Sequence, residues 1–469
     1  MLLALHILLP LIAGLVLTTL KNEKKLGFIG TFISGYLTIF TLFILFANVP
    51  IDKEVIQPWF KFGDTQTYIA LSIDGLGGIM VLMTNLVYTL LFLYSSTIKK
   101  EYSNKFYGLL LLAYAGLNGV FMAQDLVLFY FFWEIVLIPM YFLIGIWGAN
   151  RTERIRANNT FFIFTVFGSF LMLAGIIFIG FNLKPESFLL TDVKKVSVAY
   201  DNMSTLAMLF LIAFAIKIPL FPLHSWQPPV YKASVTPVTI ILSALMAKMG
   251  LFAVVNWSMN LFPIDHAATQ LLLTIVGFGL VYASLIALTT NNVKKIIAFS
   301  SIAHLALIFM ALFTQTEIGP KGAYFQMFSH ALVVLGLWLC YDYMNKKYNL
   351  TDIKSISGIA LIDPAIAVFF TFFGLANLAL PLTSNFIGEF LMINALFSYN
   401  LTLCIMACIG VILSAAYTLR LITAILFGER ENIGKKKVKF SGTLYLVFGI
   451  ISIVIVVLGV YPDLIFNLI

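Results

Sequence analysis

The fold this sequence predicts is an all-α polytopic membrane protein of about 14 transmembrane helices, with two inverted five-helix repeats and two discontinuous helices. Three observations predict it. First, of 469 residues 61% are hydrophobic and 11% charged, with a mean hydropathy of +0.99; a soluble domain carries about 25% charged residues. Second, the apolar residues collect into runs long enough to cross the hydrocarbon core, which takes about 20 residues. Third, two of these runs are interrupted by proline, one at Pro219 and Pro222 and the other at Pro381. The net charge of +8 is no sign of nucleic-acid binding, because the cations sit in short loops between apolar runs. That is where orientation signals of membrane proteins lie.

Taken in order, the spans are about 2–20, 27–48, 77–97, 106–123, 126–148, 159–182, 203–226 (broken), 235–260, 268–290, 294–315, 320–345, 359–396 (broken), 401–427 and 441–466. The first run has no basic leader and no small-residue cleavage site, so it reads as a retained span rather than a signal peptide. Charge tests the count. With the N-terminus outside, 20 of the 29 lysines and arginines fall in inside loops and six in outside loops. The remaining three are Lys217, Lys248 and Arg420, within spans. This asymmetry supports the orientation and sets both termini outside. Two outside connections are long: 49–76, whose aromatic and β-branched residues flank a Gly63-Asp64 turn and predict a hairpin, and 183–202, polar, with room for a short surface element.

The two interruptions lie five spans apart, and an odd offset inverts topology. In lipid, a broken helix leaves carbonyls unpaired, so it is tolerated only where it lines a cavity or is otherwise satisfied. A matched pair of interrupted spans points to inverted repeats of a transporter. The organisation expected is 1–105 (three helices and the hairpin), 106–260 (first repeat), 261–427 (second repeat) and 428–469 (last helix).

Ionisable residues inside spans are expensive and mark transport pathways. Glu134 lies eight residues into an apolar span, Lys217 two residues before Pro219, and Lys248 near the middle of its span. A carboxylate that approaches or leaves a buried lysine changes how tightly the lysine holds its proton. Glu134 and Lys217 are therefore read as a coupled pair. His304 and His330 read as packing residues or as a relay whose charge changes near neutral pH. Glu389 follows the second break, where it either carries a proton or complements a half-helix dipole. His224 reads equally as relay or helix-end packing. Arg420 is expected to snorkel to the inside interface, and His6 and His266 to sit at interfaces. Cys340, Cys404 and Cys408 all lie in apolar spans and read as core packing, with no metal site. No dinucleotide fingerprint, P-loop or cysteine framework for haem or iron–sulfur ligation is present, so no redox cofactor is expected in this chain.

Five stretches carry a resemblance: WEIVLIPMYFLIG with Glu134, FAIKIPLFPLHSW with Lys217, ALMAKMG with Lys248, KKIIAFSSIAHL with His304, and LPLTSNFIGEF with Glu389. In this order they resemble the antiporter-like M subunits of bacterial respiratory complex I, counterparts of mitochondrial NADH dehydrogenase subunit 4. The resemblance implies a fourteen-helix antiporter fold and proton translocation driven by quinone reduction elsewhere. It implies Glu134 and Lys217 as coupling pair, Lys248 as relay, His304 and His330 as onward carriers, and Glu389 as terminal site. NADH, FMN, iron–sulfur clusters and quinone would belong to other subunits, with antiporter-like L and N subunits as neighbours in a bacterial inner membrane or, alternatively, a mitochondrial one. Glu389 stands where the sister subunits usually carry lysine. Phe299 departs from the family, which more often has tyrosine before the serines. Multisubunit cation/proton antiporters and membrane-bound hydrogenases share the fold and remain the second reading.

Overall fold

The structure, a computed structural model, describes residues 2–20, 26–47, 54–97, 103–198, 203–259, 261–262, 265–428 and 440–469. Among them, 12 helices are long and apolar enough to cross a membrane, and two shorter apolar helices, Met203–Lys217 and Pro364–Asn377, fall where interrupted spans were expected. Several cations of the charge count, including Lys21, Lys24, Lys25, Lys99, Lys100 and Lys435, lie outside the described residues.

The described residues cluster into two compact units, one formed by 1–218 and 245–269, the other by 219–244 and 270–467. The chain changes unit immediately after Ile218, at the first proline interruption.

In the first unit, helix Leu5–Thr19 packs along Asn104–Met122, and Leu26–Phe46 along Gly75–Thr97. Gly14 and Gly108 allow the first contact: a Cβ on Gly14 would lie 2.9 Å from the Gly108 carbonyl oxygen, and one on Gly108 would lie 2.8 Å from that of Gly14. Without a hydrophobic drive between helices in lipid, such close backbone approach supplies the packing energy. His6, near the start of the first span, is fully buried within the protein; its Nε2 lies 2.9 Å from Thr41 Oγ1 and its Nδ1 3.2 Å from the Leu3 carbonyl. Helix Arg151–Phe178 begins earlier than expected, so Arg151, Arg154 and Arg156 lie on its first turns.

The predicted hairpin forms from β1 (Glu54–Phe62) and β2 (Thr65–Ser72), antiparallel, with an irregularity between Pro58 and Lys61. Asp125 ties it to the helix that carries Glu134. Its Oδ1 accepts from the Val127 and Leu128 N–H groups as the N-cap of Leu126–Ile146, and its Oδ2 accepts from Tyr68 N on β2. Burial pushes this carboxyl up to about 6, against the pull of those three N–H groups. The second outside connection holds helix Leu190–Val198, where the Lys195 ammonium beside Asp192, 2.8 Å away, holds that carboxyl below its usual range.

In the second unit, helix Ile318–Tyr348 packs against Val293–Leu312, Pro364–Asn377 and Ser384–Tyr399. Arg420 reaches the inside end of a neighbouring helix. Its guanidinium donates to the carbonyls of Leu288 (2.5 Å) and Thr290 (2.8 Å) and to Asn291 Oδ1 (2.6 Å). It closes the C-terminal end of helix His266–Thr289, whose last carbonyls lack helical partners. Lys294 does the same for the short helix Gln227–Ala233, its Nζ donating to the carbonyls of Ser234 (2.6 Å) and Lys232 (3.3 Å).

Candidate functional site

In the first unit, Lys217 is the last residue of its helix, and the chain then turns through Ile218 and Pro219. The carbonyl end of a helix favours a cation, which partly offsets burying a side chain that is only 3% exposed. Its Nζ sits 5.1 Å from the ring centroid of Trp133, a cation–π distance. The next residue, Glu134, is half-buried, and its Oε1 is buried without a hydrogen-bond partner. Helix 126–146 therefore offers Lys217 a ring, and carries a carboxylate on the next residue.

Lys248 is wholly buried on Ala247–Val254, a helical stretch bounded by wider π-helical segments at Ile241–Met246 and Val255–Met259. Such segments loosen the i to i−4 ladder and are frequent at functional sites. Gly250, two residues on, lets this helix reach the break: a Cβ there would lie 3.0 Å from the Phe214 carbonyl oxygen. Glu134, Lys217 and Lys248 all belong to this unit.

In the second unit, His304 and Glu389 come together from helices far apart in sequence. His304 Nδ1 lies 3.1 Å from Glu389 Oε1, with both side chains about 5% exposed or less. The contact has ion-pair distance but not hydrogen-bond alignment, since Oε1 makes no geometrically sound hydrogen bond. The ring of His330 is centred 5.2 Å from that of His304. Glu389 is the sixth residue of Ser384–Tyr399, and its Oε1 faces the His304 imidazole.

His224 joins neither group. It packs among the rings of Phe221 (5.6 Å), Tyr282 (5.5 Å) and Phe299 (6.3 Å), in an aromatic setting. Phe299, which departs from the family pattern, thus faces His224.

The residues that sequence reasoning missed are Trp133, Ser300, Tyr417 and the Asn377 side chain. Ser300 Oγ accepts from the Tyr417 hydroxyl at 2.9 Å and from Asn377 Nδ2 at 3.1 Å. The signal available was the helical spacing of Ser414, Tyr417 and Thr418 in helix Leu401–Leu426. Among the described residues, no group of three or more His, Cys, Asp or Glu is placed to hold a metal ion.

The arrangement places acids and bases within apolar spans, with His304 and Glu389 brought together. The family described as "NADH:quinone oxidoreductase/Mrp antiporter, TM" matches this chain over residues 123–414. The chain is 33% identical over 435 residues to NADH-quinone oxidoreductase subunit M of Rhodobacter capsulatus, covering 88% of this chain and 84% of that protein. Its fold is similar to a chain in respiratory complex I from Thermus thermophilus with bound NADH, at TM-score 0.89 and 27% identity, covering 99% of this chain and 96% of the other. It is also similar to a chain of an archaeal membrane-bound sulfane sulfur reductase, at TM-score 0.88 and 26% identity, with coverage of 100% and 96%. With more than half of its length matched, and with relatives alike along most of theirs, this chain belongs to the NADH:quinone oxidoreductase/Mrp antiporter transmembrane family.

Proposed function

We propose that this chain is the proton-translocating M subunit of an NADH:quinone oxidoreductase in a bacterial inner membrane. It moves H⁺ while NADH oxidation and quinone reduction, with FMN and iron–sulfur clusters, take place in other subunits. In the same reading the chain spans the membrane fourteen times, with inverted repeats at 106–260 and 261–427 between flanking segments 1–105 and 428–469. Antiporter-like L and N subunits are its neighbours.

The observation that carries the reading is that each unit holds acids and bases inside apolar spans: Glu389 lies 3.1 Å from His304 in one, and in the other Lys217 is buried against Trp133, the chain neighbour of Glu134. Buried charges are costly and are retained at functional sites in membranes. When Glu134 is ionised and near, Lys217 holds its proton; when that charge is withdrawn, desolvation favours release. Lys248 takes up the proton within the first unit, and His304, Glu389 and His330 serve as carriers in the second. His224, among aromatic rings, has the weakest claim to carry a proton.

The test is Lys217→Ala in the assembled enzyme, with proton translocation followed in sealed vesicles energised by NADH. Translocation is expected to fall about 100-fold, the scale of losing one proton-transfer group, with assembly intact. An unchanged proton-to-electron ratio would sink the reading.

A second reading, a subunit of a multisubunit cation/proton antiporter or membrane-bound hydrogenase, is favoured by the breadth of the family and by the likeness to the sulfane sulfur reductase chain. Co-purification with flavin- and iron–sulfur-containing NADH-oxidising subunits favours the first reading; co-purification with small membrane subunits alone favours the second.

A further inference from the structure

We infer that Gly459 is a positioning residue of the second unit: it lets helix Gly442–Val460 lie directly against the backbone of the second break, and so fixes where the helix carrying Glu389 begins. The inference rests on the proton-translocating reading above and adds to it a residue that carries no proton itself.

Helix Gly442–Val460 packs against both halves of the interrupted span, Pro364–Asn377 and Ser384–Tyr399. Near its start, Phe448 is wholly buried, its ring 5.2 Å from that of Phe369 and 6.0 Å from that of Phe373 on the first half. Near its end, Gly459 meets the break itself. A Cβ on Gly459 would lie 2.3 Å from the Leu382 carbonyl oxygen, 2.6 Å from the Thr383 carbonyl carbon and 2.7 Å from that of Leu382. These are backbone atoms, which cannot swing aside as the end of a side chain can.

Glycine weakens a helix, so its presence at 459 calls for a packing reason. It is not a C-cap: the cap residue is Tyr461, and Gly459 is not among the residues at positive φ. Gly449, on the same helix, shows the difference. A Cβ there would meet none of the described atoms within 4 Å. At the break, Leu382 holds φ 73° although its side chain is 69% exposed. Burial of that side chain therefore does not explain the conformation. The close seat of its carbonyl on Gly459 does, since such conformations persist where the surroundings over-determine them.

Thr383, buried, directly precedes helix Ser384–Tyr399. Glu389 follows on that helix, with Oε1 3.1 Å from His304 Nδ1. A methyl group at 459 needs roughly 1 Å more room to reach an ordinary carbon–oxygen separation. Either helix 442–460 withdraws or the start of the Glu389 helix moves. A misplacement of about 1 Å can cost about 100-fold in a transfer step.

The experiment compares Gly459→Ala, Gly449→Ala, Glu389→Gln and the double variant Gly459→Ala/Glu389→Gln with Lys217→Ala, each in the assembled enzyme in sealed vesicles. Proton translocation should fall about tenfold or more in Gly459→Ala and stay at the wild-type level in Gly449→Ala, the same change on the same helix. The double variant should be no lower than Glu389→Gln alone, because both changes act on one pair. If Gly459→Ala does not assemble, Phe448→Leu takes its place; it loosens the same helix on the first half and should lose translocation severalfold, with no further loss in the Glu389→Gln background. Wild-type translocation in Gly459→Ala, with Lys217→Ala defective, overturns the inference and leaves the proposed function standing. Equal losses in the two glycine variants also overturn it, because they trace the effect to the helix as a whole. Losses that multiply in the double variant, or a wild-type Glu389→Gln beside a defective Gly459→Ala, overturn it as well, because Gly459 then does not act through Glu389. Wild-type translocation in Lys217→Ala overturns both the inference and the proposed function.

Discussion

Helix 203–217 ends on Lys217 and helix 364–377 ends on Asn377, and in both the chain then makes a turn at the next two residues and a second turn after one intervening residue. The backbone device is the same; the chemistry placed on it is not. At the first break a cation occupies the helix end, against Trp133. At the second a neutral amide occupies it, bonded to Ser300, and the ionisable pair stands apart as His304 and Glu389. Both breaks hold non-glycine residues at positive φ, Pro219 at φ 34° in the first and Ala379 at φ 58° and Leu382 at φ 73° in the second. Such conformations cost about 1–3 kcal/mol each and persist where surrounding structure over-determines them. The difference teaches that a broken helix provides unsatisfied backbone ends and space, while the charge it serves can sit on the break or beside it.

The largest effect expected from breaking this comparison is in Lys217→Asn, which gives the first break the residue of the second. Translocation should fall about 100-fold, as for the alanine variant. The converse change, Asn377→Ala, removes no ionisable group and should cost about tenfold or less, through the Ser300 node. Equal losses at the two positions, measured in the same vesicle assay, would erase the distinction.

A smaller effect is expected from Trp133→Leu, which keeps apolar bulk but removes the ring beneath Lys217. A cation–π contact contributes about 0.5–2 kcal/mol, so translocation should change several-fold and its pH optimum should move. A wild-type pH profile would leave Trp133 as packing alone.

The smallest effect is in Asp125→Ala, whose lost N-cap should cost about 1 kcal/mol and be read as faster amide exchange at Tyr68. Because burial raises the Asp125 carboxyl to about 6, its protonation below that pH favours the folded form, and the advantage is lost as pH rises through 6. Asp125→Asn should lack this dependence.

Much of the fold was legible because charge is so sparse. With 11% charged residues, the few that appear between apolar runs mark the loops, and proline marks the two breaks. Glu134, Lys217 and Lys248 were legible for the same reason: a charge in hydrocarbon stands out by its cost. Pairings were not. His304 and Glu389 meet through tertiary packing, and nothing local to either residue announces the other. Arg420 was legible only as a cation near a helix end; that it caps the carbonyls of a neighbouring helix end depends on tertiary packing. Ser300 and Tyr417 were missed because hydroxyls are cheap to bury when they find a partner, so their presence in an apolar run carries little information.

The central claim is that both units handle protons, each through its own acid and base. The measurement that tests it most directly is the proton-to-electron ratio of the assembled enzyme carrying Glu389→Gln, taken beside Lys217→Ala. Both ratios are predicted to fall, with assembly intact. A wild-type ratio in Glu389→Gln, with Lys217→Ala lowered, would contradict the account by leaving the second unit's pair out of transport.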